Sequence, residues 1–96
     1  MIVRIVKLSI DPNSKEGASF RRLFLDSKEH IVGQAGCHKV VLLEAQTHFF
    51  THSTWDSEEA LNDYRKSDLF GAVWPKTKAL FYDKPEAWTC LEIEEA

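Results

Sequence analysis

Cysteine, proline and glycine are scarce: two, three and four residues respectively among 96. Cys37 and Cys90 lie far apart and form no CxxC pair, which excludes a zinc knuckle and a dithiol redox motif. In a reducing compartment both are expected to remain thiols. The glycines Gly17, Gly33, Gly36 and Gly71 match neither a dinucleotide fingerprint nor a phosphate-cradling loop. There is no GxSxG elbow, no HExxH helix and no internal repeat. Positive charge is also short, with 12 Lys and Arg against 15 Asp and Glu and a net charge of -3. No overall field therefore draws the chain to nucleic acid or an anionic membrane. The cluster Arg65, Lys66, Lys76, Lys78 is interleaved with acids and reads as a solvated helix face. Long apolar runs are missing too. The stretch from Met1 to Ile10 is interrupted by Arg4 and Lys7, too short and too broken for a signal core or a membrane span. A cytoplasmic protein is expected.

What is present is the balance of a globular chain, 44% hydrophobic and 28% charged, of a length that suits one domain over residues 1–96. Ile2 to Ile10 is β-branched and apolar at both parities, a strand with both faces at least partly buried. Asp11-Pro12-Asn13 stops it, and Asn13 with Glu16 resembles a helix-opening pair. Phe20, Leu23, Phe24 and Ile31 then form one helical stripe, which Gly33 is placed to end. CHKVVLLEA and HFFTHSTW read as two strands joined by a turn at Ala45-Gln46-Thr47. Asp56 and Glu59 open a second helix, whose stripe runs through Leu61 and Tyr64 to Leu69, Phe70, Val73, Trp74 and Phe81. Pro75 lies inside that stripe and opposes the carbonyl of Gly71, so a break is expected around Gly71-Pro75. Ala87 to Ile93 reads as the last strand.

The order β-α-β-β-α-β, with right-handed crossovers, predicts an α+β ferredoxin-like sandwich: a four-stranded antiparallel sheet carrying both helices on one face. The opposite face has no cover from its own chain, yet the first two strands are apolar on both sides. A second copy packed sheet to sheet, giving a homodimer, is the expected cover.

FFTHSTWDSEEALNDYRKSDLF, together with AGC before the second strand, resembles the antibiotic biosynthesis monooxygenase domain of the dimeric α+β barrel group. The most specific part is the strand-ending Trp55, followed by DSEEAL and then Ser67 and Phe70. The resemblance implies a homodimeric dimeric α+β barrel with a pocket between sheet and helices. It implies oxidation of a small aromatic, quinol-like or polyketide-type compound by dioxygen without metal or flavin. Such chemistry needs an electron-rich phenolate or enolate held in a dry pocket, with donors to stabilise its anion. A non-catalytic ligand-binding or sensing dimer, or an isomerase or lactone-handling enzyme, remains open on the same fold.

The catalytic candidates are Tyr64, for proton transfer or anion hydrogen bonding, and Trp55, for stacking and indole donation. Thr51 shares strand parity with Trp55 and stands where some family oxygenases carry asparagine. Thr51, Trp74, Phe24 and Phe70 are the expected substrate-binding residues, and the broken helix is the expected entrance. Haem-degrading relatives carry an axial histidine where this chain has Trp74, so the resemblance does not extend to haem. His48 and His52 are four apart, but on a strand that spacing is roughly 13 Å, too far to share a metal ion. His52 falls on the parity opposite to Trp55 and is expected to face the uncovered side or the sheet edge; His30 and His38 are expected in solvent.

Overall fold

β1 (Ile2–Leu8) lies inside a sheet whose strand order is β2-β3-β1-β4, all neighbours antiparallel. The structure, a computed structural model, describes residues 1–96. After β1 come α1 (Lys15–Val32), β2 (Cys37–Glu44), β3 (Phe49–Trp55), α2 (Glu58–Arg65), α3 (Asp68–Lys78) and β4 (Glu86–Leu91). This is the α+β ferredoxin-like architecture, with the second helical layer divided in two. β2 and β4 form opposite edges, and Cys37 and Cys90 are both free thiols.

Register fixes what each face displays. Arg4 sits between Ser53 and Thr89, Val6 between Thr51 and Ala87, and Leu8 opposite Phe49. These side chains point toward the helices, since strand residues alternate between faces. Val3, Ile5, Val41, Phe50, His52 and Trp88 occupy the other face, where His52 was expected. Between sheet and helices, Leu8, Ile10, Phe20 and Phe49 form a closed cluster, with the Phe20 and Phe49 rings 5.1 Å apart. Burying each such side chain contributes roughly 1.5–3 kcal/mol.

The helix boundaries differ from expectation in instructive ways. α1 is capped by Ser14, whose side chain accepts from the Gly17 amide at 3.1 Å. Asn13 is instead held in an Asp11 turn, its backbone N–H donating to Asp11 Oδ1 at 2.9 Å. α2 is likewise capped by Ser57, which accepts from the Ala60 amide. The break in the second helical layer falls at Lys66–Ser67, not at Gly71–Pro75. Ser67 caps α3 by accepting from the Phe70 amide at 3.2 Å while its hydroxyl donates to Tyr64 O at 2.6 Å. A serine that closes one helix and opens the next outcompetes a proline that removes one amide. Pro75 rides inside α3, and the carbonyl it opposes belongs to Gly71, where even an added Cβ would meet nothing within 4 Å. Gly36, at φ 82°, is the glycine in the left-handed region, and a Cβ there would lie 2.6 Å from Ala60 Cβ, so β2 can begin only where α2 leaves room; Gly17 is required for space, since a Cβ there would run into Asp11 O. His38, expected in solvent, is exposed but pairs with Asp56 across the start of β2. No helix is long and apolar enough to cross a membrane.

Candidate functional site

A run of aromatic rings lines the layer between sheet and helices. Trp55 stacks on Tyr64 (centroids 5.1 Å, planes 25° apart), and Tyr64 meets Phe70 edge-on at 5.4 Å. Phe70 stacks on Trp74 at 5.6 Å, and Trp74 meets Phe81 edge-on at 5.8 Å. The Ser67 break makes this possible. It lets α2 present Tyr64 and α3 present Phe70 and Trp74 to one space, at angles a single straight helix would not offer.

That space is an inner chamber of about 110 Å³. Its wall includes Phe24, Ser27, Thr51, Tyr64, Phe70 and Trp74, with Phe20, Ser53, Thr77 and aliphatic groups from β1, β2, α1 and α3 completing it. Five of the six expected site residues thus border one cavity: Tyr64, Thr51, Trp74, Phe24 and Phe70. Trp55 does not. It is fully buried behind Tyr64, and its indole N–H donates to Ser53 Oγ at 2.9 Å, so that donor is not free for a ligand. Trp55 supports the Tyr64 ring by stacking.

The polar groups on the wall divide sharply. Ser53 accepts from Trp55, and Thr77 Oγ1 donates to Val73 O at 3.0 Å. The hydroxyls of Ser27, Thr51 and Tyr64 have no hydrogen-bond partner in the chain, and all three residues line the chamber. Burial, followed by the nearby Cys37, pushes the Tyr64 phenol up to about 12. At neutral pH it is therefore a protonated donor rather than a base. Cys37 is a protonated thiol whose pKa burial raises, and its Sγ–H contacts Lys39 O at 3.8 Å. Ser27 escaped the sequence reading; its signal was a small polar residue in the apolar stripe between Phe24 and Ile31.

An outer chamber of about 200 Å³ lies beyond the same partition. Val6, Phe70 and Trp74 border both chambers. With the partition turned aside they would join into roughly 300 Å³, the lower end of small-molecule sites.

The fold recurs in solved structures of low sequence similarity. Rv0793 from Mycobacterium tuberculosis aligns over 99% of this chain and 97% of its own, with TM-score 0.86 at 16% identity. A candidate antibiotic biosynthesis monooxygenase of Caulobacter crescentus aligns over 97% and 90%, with TM-score 0.86 at 20% identity. Another from Nitrosomonas europaea aligns over 98% and 100%, with TM-score 0.87 at 11% identity. No curated protein matches the chain in sequence. The family model for antibiotic biosynthesis monooxygenase matches residues 1–75, from β1 through the partition on α3, and the chain belongs to that family.

Proposed function

We propose that the protein is a cofactor-independent monooxygenase that oxidises a small, electron-rich aromatic compound of the phenol or quinol class with dioxygen. The observation that carries this is the set of three unpartnered hydroxyls, Ser27, Thr51 and Tyr64, inside an aromatic-walled chamber. None of the three oxygens is sealed from its surroundings, so each is free to complete its hydrogen bonding with a ligand in the space it borders. A chamber of about 110 Å³ suits a single ring.

The Tyr64 phenol donates to the oxygen of the bound phenolate and holds negative charge in a water-poor site. Ser27 and Thr51 orient the ring, while Trp55 keeps Tyr64 in place from behind. The substrate supplies all four electrons. One atom of dioxygen becomes a new ring carbonyl at a former C–H carbon. The other leaves as water, carrying that carbon's hydrogen and the phenolic hydrogen, as the phenol becomes a quinone. The helix-free face, with Leu43 and Trp88 both more than two-fifths exposed, suits a second copy of the chain. A homodimer would bury on the order of 2,000 Å² there.

Oxygen uptake with a panel of hydroquinones, in the presence of a chelator, tests the activity. Uptake matched mole for mole by a hydroxyquinone that carries one atom of oxygen-18 from labelled dioxygen, with no hydrogen peroxide formed, supports it; unhydroxylated quinone with peroxide overturns it, and binding with no uptake assigns the chamber to ligand sensing. That second reading is favoured by the raised phenol of Tyr64, which leaves the site without a base near neutrality. Sedimentation at micromolar concentration tests the assembly, and a stable monomer would overturn it.

A further inference from the structure

Arg4 is the one charged residue on the helix-facing row of β1, among Ile2, Val6 and Leu8. Its Nη1 donates to Thr89 Oγ1 at 2.8 Å, and no other hydrogen bond or ion pair engages its guanidinium. The remaining N–H donors belong to a half-buried side chain on the wall of the outer chamber. Arg65, from the last turn of α2, lines the same chamber. The protein's ion pairs are Arg21–Glu44 and His38–Asp56, so neither arginine has a carboxylate partner. Glu86, the single carboxylate on the chamber wall, pairs with neither. The two guanidinium groups repel: burial, and then Arg65, pulls Arg4 below its usual pKa. Two unpaired cations facing one chamber, with Leu61, Phe70 and Trp74 as its apolar wall, form half of a salt bridge.

We infer that the outer chamber binds a carboxylate, held between Arg4 and Arg65, and that the ligand is an aryl carboxylate whose ring lies on the Phe70–Trp74 partition. A planar guanidinium offers paired N–H donors that match a carboxylate, and placing an anion there relieves the repulsion between the arginines. Phe70 and Trp74 also wall the inner chamber, so with that partition turned aside the two spaces join and the ring of a ligand anchored by its acid reaches the side of Tyr64 and Thr51. This deepens the oxygenase reading, and rests on it only for the statement that the anchored ring is the one oxidised.

The test is equilibrium binding under nitrogen, followed by tryptophan fluorescence, with 2,5-dihydroxybenzoate, its methyl ester and hydroquinone as probes. The acid is expected to bind at least about tenfold tighter than the ester or hydroquinone, as a charge-assisted pair in a partly buried site implies. Arg4→Met should remove most of that preference, and Arg65→Met, on an exposed helix end, a smaller part of it. Neither should change hydroquinone binding. Glu86→Gln should strengthen acid binding, and added salt should weaken binding of the acid alone. Equal affinities for acid and ester, or a preference that survives both arginine variants with circular dichroism unchanged, would overturn the site. Arg65→Met alters no core position, so it keeps the test decisive if Arg4→Met fails to fold. Binding without oxygen puts this outcome apart from that of the oxygenase reading. An acid preference with no oxygen uptake would support the site and sink the catalysis; uptake with neutral quinols alone would do the reverse.

Discussion

The two ends of the layer between sheet and helices are built from the same strands and helices, yet they are finished differently. At one end Leu8, Ile10, Phe20 and Phe49 close on each other with alkyl and phenyl groups, Leu8 and Phe20 also bordering the inner chamber where the two ends meet. At the other, Tyr64, Phe70 and Trp74 are only half-buried and stand around a space, with hydroxyls and a guanidinium left open beside them. Aromatic rings are rigid and wide, so they brace one another at their edges without filling the volume between them. The sealed end holds the fold together, and the open end forgoes some of that stability by leaving a space unfilled.

Substitutions at the two ends should separate stability from function. The largest loss of stability is expected from Phe49→Ala at the sealed end, about 3–5 kcal/mol by urea unfolding, because a fully buried ring leaves a cavity. An effect below about 1 kcal/mol would mean that the two ends do not differ as described. Trp55→Phe comes next, at roughly 1.5–3 kcal/mol: it shrinks a fully buried side chain and strips Ser53 of its donor. Its effect on ligand affinity should be the lesser one, since Trp55 lies behind the wall.

Tyr64→Phe should reverse that pattern, leaving stability within about 1 kcal/mol while lowering quinol turnover about tenfold or more, the worth of one hydrogen bond to an anion. The phenol also sets an alkaline limit. Its folded pKa, near 12, exceeds the ordinary 10, so between those values the unfolded chain releases a proton that the folded chain keeps. Stability should therefore be level up to about pH 10 and fall from there toward pH 12. In Tyr64→Phe this component of the fall should be missing. Ser67→Ala is the smallest change, about 1 kcal/mol for a lost helix cap. Hydrogen exchange should quicken in α3, which carries Phe70 and Trp74, and stay unchanged in α1.

The sealed end was the more legible in the sequence. Its strands alternate or run apolar, its helix shows a regular stripe, and those patterns follow directly from burial on one face. The open end was legible in its rings but not in its details. Ser67 and Pro75 both signal interruption, and only the competition between a double-duty cap and one missing amide decides which one breaks the helix. Trp55 was read as a donor to ligand because a sequence shows that an indole has an N–H, but not that Ser53 stands two residues away on the same face to accept it. Arg4 was read as an interruption of an apolar run. Its meaning depends on parity with Ile2, Val6 and Leu8, and on Arg65 arriving from a helix some sixty residues later.

The three tryptophans stand at the three places that the account distinguishes: Trp55 behind the wall, Trp74 on it and Trp88 on the helix-free face. Nitrogen-15 NMR of their indole groups during titration with hydroquinone reads all three at once. The Trp74 signal should move most and Trp55 less, through its stacking on Tyr64, while Trp88 stays in place. A titration that shifts Trp88 and leaves Trp74 unmoved would put the ligand on the opposite side of the sheet and contradict the account.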